Sequence, residues 1–492
     1  MLTFAIVLPF AAATLLAFAP LSARVSRAIA IATAALALLA LVVVWAGFTQ
    51  GGGFQAVQEA PWIPALGVAW RVGVDGISLP LALMSGLLFV AAIAWPMERE
   101  VNARQYYAWF LFLEGASLGL FLTLDLLLFY VFFDLSLVGM YFLIGRWGHG
   151  DAQRAALKFF LYTLAGSLLI LLAIIALVLM TDPLTFDMRD LIALQPVAGM
   201  DLRAGLILLG FVIGFAIKTP LFPVHTWLPP AHVDAPGPAS AILAGVLLKM
   251  GTYGLVRIAM QMMRETFATY ALAIGIVALI SILWGSIVAF AQENLKRRIA
   301  YTSVNHMGYA VLGIAVAGSA VTGHEAARDL ALTGAMVEMV AHGLITGALF
   351  LIAGAFWART QEYDLGHYGG LAGNAPRMMA AMGLASFASL GLPGLAGFVA
   401  EVQIFIGAFA VWPWLAALAL LGLIVTAALF LGMLQRIFFG DRPPLLDGFT
   451  DLTRAEICIL AALLALVVLI GVWPAWLLDM IGADAALTFG GG

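Results

Sequence analysis

Cysteine is almost absent from this 492-residue chain, with Cys458 standing alone. No internal disulfide can form from one thiol, and no Cys/His spacing is present that would ligate zinc or an iron–sulfur cluster. Charge is scarce as well. Only 10% of the residues are Asp, Glu, Lys or Arg, where soluble domains carry about 25%. The net charge of −4 is spread thinly, with no basic stripe and no charged tail, which excludes nucleic acid as a partner. No basic stretch precedes the first apolar run, so that run reads as a retained span rather than a cleaved signal.

What fills the chain instead is apolar. Hydrophobic residues make up 64% of it and the mean hydropathy is +1.06, so it reads as an all-α, multi-pass integral membrane protein surrounded by lipid. A single transmembrane domain over 1–492 is expected, not a string of soluble domains. Windows of ~20 apolar residues predict about fourteen spans, near 3–21, 28–48, 78–96, 106–123, 125–145, 157–180, 204–230, 239–262, 267–290, 299–318, 330–357, 377–410, 414–438 and 455–478. Fifteen Lys and Arg residues, Arg99 among them, fall in loops after odd-numbered spans and five in loops after even-numbered ones. The positive-inside rule then puts both termini on the outer face.

Two of these spans contain breakers. In FAIKTPLFPVHTWLPPAH, Lys218 is followed by Pro220 and Pro223; in SLGLPGLAGFVAE, Glu401 follows Pro393 and Gly397. Proline removes a backbone donor and frees a carbonyl, which lipid cannot satisfy, so a broken span belongs where protein or a hydrated cavity answers it. The breaks fall in the seventh and twelfth spans, five apart and starting from opposite faces. That is the pattern of two inverted repeats, helices 4–8 and 9–13. It divides the chain into 1–105, a first repeat over 106–262, a second over 263–440 and a last helix within 441–492.

Nine of the ionisable residues inside predicted spans are candidates for a site: Glu114, Asp134, Lys218, His225, Lys249, His306, Glu338, His342 and Glu401. An isolated buried histidine is commonly a satisfied hydrogen bonder. Nine such residues are another matter, because a charge at membrane depth costs at least ~2.5–3.5 kcal/mol. Asp134, central in the fifth span, is the candidate carboxylate for Lys218, since a carboxylate that approaches or retreats switches a buried lysine between its charged and neutral forms. Lys249 is the next carrier, His306 and His342 follow with ring chemistry suited to neutral pH, and Glu401 ends the row. Glu338 precedes His342 by four residues, so both face one side of their helix. The order acid, lysine, lysine, histidine, acid reads as a lateral proton relay at the midplane. A haem held by His306 and His342 leaves the lysines and the prolines unexplained.

These residues lie in motifs that resemble a known family. VGVDGISLPLALM (72–84), LDLLLFYVFFDLSLVGMYFLIGRWG (124–148), KTPLFPVHTWLPPAH (218–232), LLKMGTYGLVR (247–257), AYTSVNHMGY (300–309) and MVAHGLITGALF (339–350) resemble the antiporter-like membrane subunits of respiratory complex I. Within that family the likeness is to the M type of NADH-quinone oxidoreductase, the counterpart of mitochondrial NADH dehydrogenase subunit 4. It spans almost the whole chain.

The resemblance implies a subunit of the bacterial inner membrane that translocates protons without redox chemistry of its own. NADH, FMN, iron–sulfur clusters and quinone are then expected on partner subunits, no cofactor or metal on this chain, and L- and N-type relatives as membrane neighbours. It also implies that Lys218 and Lys249 are the lysines of the seventh and eighth helices, that Glu401 is the terminal acid of the twelfth, and that His225, His306 and His342 lie along the same axis. Glutamate at 401 favours the M type, because the L and N types and the antiporter relatives usually carry lysine there. Two positions depart from the family pattern. Asp134 stands where the fifth helix usually has glutamate, one methylene longer, and Glu338 where glutamine is common. The remaining alternatives are a Mrp-type cation/proton antiporter subunit and a membrane subunit of an energy-converting hydrogenase or formate-linked complex.

Overall fold

A computed structural model describes residues 1–97 and 101–489; Arg99, one of the predicted inner-loop cations, lies outside the described residues. The helices are α1 (Leu2–Phe18), α2 (Ala23–Ala46), α3 (Ser78–Ala94), α4 (Ala103–Leu122), α5 (Leu126–Trp147), α6 (Ala152–Val178) and the short α7 (Met188–Leu194). The seventh predicted span resolves into α8 (Leu202–Lys218) and α9 (Leu228–Asp234) with turns between them. There follow α10 (Gly237–Ile242) and α11 (Leu248–Gly254), which π-helical turns join into one rod over Gly237–Met260. Next come α12 (Arg264–Phe290), α13 (Leu295–Ala317), α14 (Glu325–Thr360), α15 (Pro376–Ser389), α16 (Ala396–Val411), α17 (Pro413–Phe438), α18 (Arg454–Val472) and α19 (Ala475–Phe489). Among the described residues, eight helices are long and apolar enough to cross a membrane, counting the Gly237–Met260 rod as one.

Several of the helices begin at polar caps. Asp125 accepts from the amides of Leu127 and Leu128, Asp201 from Ala204, and Asn294 from Arg297, while Thr453 and Glu456 form a reciprocal capping box. Each cap answers amides that the first helical turn leaves without a partner. Two rods are buried along their most apolar windows, Gly237–Met260 and α14. A helix apolar on every face belongs at the centre of a bundle, and these two form the spine around which α3, α8, α13 and α16 pack.

The expectation of an all-helical chain needs one correction. The segment between the second and third predicted spans folds as an antiparallel hairpin, β1 (Gln55–Ile63) with β2 (Val68–Val74). Its tight turn ends at Gly67, whose φ is +72 and whose Cβ, if present, would stand 2.4 Å from the Leu184 carbonyl oxygen. Only glycine fits there.

Arg71 of β2 fastens the hairpin to the bundle. Its guanidinium lies 2.8 Å from Asp125, the α5 cap, and 3.3 Å from Asp187, the α7 cap. Burial opposes charge on Asp187, yet hydrogen bonds from Arg189 and the charges of both arginines hold its carboxyl below the usual range. The Asp125 carboxylate also accepts from the Ala69 amide at 3.1 Å, so one buried acid organises strand, helix start and arginine together. Arg71→Leu should therefore destabilise the chain by roughly 3–5 kcal/mol, the cost of leaving a buried carboxylate without its partner. Thermal unfolding in detergent tests this, and an unchanged midpoint would show that the hairpin is only an ornament.

Candidate functional site

Bare backbone lets the central helices meet. Gly245, in the π turn before α11, and Gly343 of α14 face each other, and a Cβ on Gly343 would lie 2.9 Å from the Gly245 carbonyl oxygen. Gly251 of α11 is seated equally close against Thr219 and the Phe215 carbonyl at the end of α8, and Gly334 of α14 against Ala400 and Ile404 of α16. Small residues at crossings allow such approach in a membrane bundle. These three crossings hold α11 against α8, the α10–α11 rod against α14, and α14 against α16.

At the first crossing, Lys249 Nζ lies 2.6 Å from His342 Nδ1 and donates at 2.6 Å to the Ala244 carbonyl, five residues back in the widened turn. Both side chains are sealed from the surface, Lys249 completely. His342 in turn lies ring to ring with His306 of α13, with centroids 5.5 Å apart. His306 Nδ1 stands 3.1 Å from Glu338 Oε1 and 3.9 Å from Glu401 Oε1, while its Nε2 meets Ser389 Oγ at 3.0 Å. Four helices and the α15 terminus thus converge on one string of titratable groups. Glu338 and His342 share a face of α14, as their spacing predicts, but take different partners.

The other end of the row is looser. Lys218, at the last residue of α8, donates to Ser136 Oγ at 3.1 Å and lies over the Phe133 ring, 4.8 Å from its centroid. Asp134 is within electrostatic reach of Lys218 but forms no ion pair with it among the described residues. It is half-buried, one of its carboxylate oxygens has no hydrogen-bond partner, and it faces the Tyr130 hydroxyl one turn earlier. The serine two residues on, which no charge pattern flags, holds the lysine instead.

The supporting residues divide. Pro220 and Pro223 lie in the turns between α8 and α9, and Pro393 in the 390–395 stretch between α15 and α16, whereas Gly397 lies inside α16. Glu114 is fully buried in α4, with neither carboxylate oxygen hydrogen-bonded among the described residues. His225 sits in the α8–α9 turns beside Phe222 and Tyr301 and makes no contact with the Lys249–His342 string among the described residues. The residue that does face the interior is His232, seven positions later and absent from the predicted set. It is wholly buried, stacked on Phe350 at 4.3 Å, within electrostatic reach of Lys249 and Lys296, and neither ring nitrogen has a hydrogen-bond partner among the described residues. Its only sequence signal is the second histidine of HTWLPPAH.

The family described as NADH:quinone oxidoreductase/Mrp antiporter, transmembrane, matches residues 123–427, the stretch that holds Asp134 through Glu401. NADH-quinone oxidoreductase subunit M of Rhodobacter capsulatus is 38% identical over 97% of this chain and 94% of its own length. In solved structures, a chain of respiratory complex I from Thermus thermophilus, determined with bound NADH, superposes with a TM-score of 0.88 at 34% identity, covering 100% of both chains. A chain of the Mrp complex from Dietzia sp. superposes with a TM-score of 0.87 over 99% of this chain and 97% of its own, at 22% identity, which shows shared fold alone.

The His306–Glu338 contact generates a test that is independent of activity. Glu338→Gln preserves a hydrogen-bonding group opposite His306, whereas Glu338→Leu strips the ring nitrogen of its partner. The Leu variant should be less stable than the Gln variant by about 1–3 kcal/mol, the cost of one buried polar group left unsatisfied. Equal unfolding midpoints for the two purified variants would contradict the contact.

Proposed function

Because this chain belongs to the NADH:quinone oxidoreductase/Mrp antiporter transmembrane family, we propose that it is a proton-translocating membrane-arm subunit of an NADH:quinone oxidoreductase. The observation that carries the reading is the sealed string Lys249, His342, His306, Glu338 and Glu401, drawn across four helices in a bundle whose core is mostly aliphatic and aromatic. Charges at membrane depth are costly, and a chain that collects five titratable groups in mutual reach has a use for them.

Each group has a role in this reading. The Lys249 ammonium hands its proton to His342 Nδ1 over 2.6 Å, which leaves a neutral amine and a charged ring. His342 then gives up the proton on its Nε2, His306 takes one at Nε2, the nitrogen facing Ser389, and His306 Nδ1 delivers its proton to Glu338 or Glu401. Lys218, steadied by Ser136 and modulated by Asp134, loads the string from the α8 break. Histidine suits the middle because one ring nitrogen can accept while the other donates. Glu114, His225, Pro220 and Pro393 support the path at its margins.

The same reading extends to architecture. Fourteen spans, with inverted repeats over helices 4–8 and 9–13, account for the two broken helices and for the alternation of loop charge. They put both termini on the outer side of a bacterial inner membrane. L- and N-type relatives flank the subunit in the membrane arm, and the chain carries no cofactor, with NADH, FMN, iron–sulfur clusters and quinone on its partners.

Lys249→Ala in the assembled complex should reduce proton pumping by ~100-fold or more, the lower range for loss of a positioned proton carrier, with helical content unchanged. Undiminished pumping by that variant in vesicles would sink the relay. Asp134→Glu should be tolerated, because it keeps the charge that modulates Lys218, and Asp134→Asn should damage pumping; an Asn variant as active as the wild type would reduce Asp134 to a polar bystander.

A further inference from the structure

Between α15 and α16 the backbone passes Glu401 at one point. Gly391 has a φ of +76, and a Cβ built on it would stand 2.2 Å from Glu401 Oε2. That is well inside van der Waals contact, so no side chain can share the space with the carboxyl group in its present position. The other oxygen, Oε1, is sealed, has no hydrogen-bond partner among the described residues, and lies 3.9 Å from His306 Nδ1. The carboxyl group is wedged between an imidazole on one side and uncovered glycine backbone on the other.

We propose that Gly391 is a positioning residue for proton transfer: its missing side chain seats the Glu401 carboxyl group in the one conformer whose Oε1 faces His306. This rests on the reading of Glu401 as a proton acceptor. In the step concerned, the N–H bond at His306 Nδ1 breaks, an O–H bond forms at Glu401 Oε1, and a neutral imidazole remains. A side chain at 391 displaces the carboxyl group from that seat and misaligns the transfer.

Glycine at 391 has two separate reasons to be there, the left-handed backbone and the space, and paired variants separate them. Gly391→Asn tolerates the backbone conformation but fills the space, as Gly391→Ala also does. Glu401→Asp draws the carboxyl group back by one methylene and reopens room. In the complete complex reconstituted in vesicles, Gly391→Asn and Gly391→Ala should each slow proton-coupled turnover by roughly 10- to 100-fold, as a misplacement near 1 Å does, and should alter its pH profile. Adding Glu401→Asp to either should recover several-fold of the loss, since a shorter acid no longer collides. Gly397→Ala is the control: its Cβ would strike the Ala388 carbonyl instead, so Glu401→Asp should not relieve its defect.

Gly391→Asn with wild-type turnover and pH profile overturns the proposal. So does a double variant that gains nothing over the single, because the glycine then serves backbone geometry alone. If Gly391→Asn does not assemble, assembly of Gly391→Asn/Glu401→Asp decides in the same two directions. Glu401→Gln separates this inference from the broader one: full pumping by that variant removes Glu401 from the relay altogether, whereas a dead Glu401→Gln beside a normal Gly391→Asn removes only the role of Gly391.

Discussion

The contact on which the rest of the site depends is between two stretches of bare backbone, Gly245 against Gly343. It lets two rods, buried along their most apolar windows, approach backbone to backbone where Lys249 and His342 lie 2.6 Å apart. A Cβ on Gly343 would stand 2.2 Å from the Met84 sulfur and 2.9 Å from the Gly245 carbonyl oxygen, so a larger residue there would force the crossing to shift. The widened π turns on either side of Lys249 belong to the same arrangement, since a carbonyl tilted off the regular ladder, here that of Ala244, becomes available to an ammonium. A lysine in an apolar bundle is tolerable only where such groups answer it. Here the answer comes from backbone and ring, with no carboxylate in direct contact among the described residues.

Broken helices serve the two ends in different ways. At the α8 terminus, Lys218 is the last helical residue, and its ammonium leans on a serine and an aromatic face. Both are soft partners, and Asp134 lies within electrostatic reach. At the α15 terminus the break brings Ser389 to His306 and the Gly391 backbone to Glu401. One break presents a cation to weak partners, and the other closes around an acid.

Much of this is legible in the amino-acid sequence. Apolar windows locate the long helices, Pro220 and Pro393 locate the breaks, and charge in an apolar run singles out the residues that meet. What periodicity cannot supply is which of them touch. Glu338 and His342 lie on one face of one helix, yet the crossing partners of that helix assign the first to His306 and the second to Lys249. Helix phase is also lost at a break. His225 and His232 occur in one motif, and only the geometry of the α8–α9 turns decides that the second is turned inward. The hairpin leaves little mark on the sequence because β1, largely exposed and carrying Glu59 and Pro61, shows no apolar alternation, and because Asp125, the acid that secures it, looks like an ordinary helix cap until Arg71 is seen beside it.

The placement of histidine rather than lysine at position 306 follows from what surrounds it. Two acids, Glu338 and Glu401, face the same ring nitrogen at 3.1 and 3.9 Å. A lysine ammonium between two buried carboxylates would be held by both, and the low dielectric that makes such a group costly to bury also makes it costly to discharge. Imidazole avoids that trap. Its neutral form is stable in an apolar setting, and it can take a proton at one nitrogen and give one at the other. Ser389 occupies the second nitrogen without adding charge. In the relay proposed above, an imidazole at 306 can pass a proton to either acid without an ion pair too strong to separate, and the two glycine crossings of α14 hold α11 and α16 close to it.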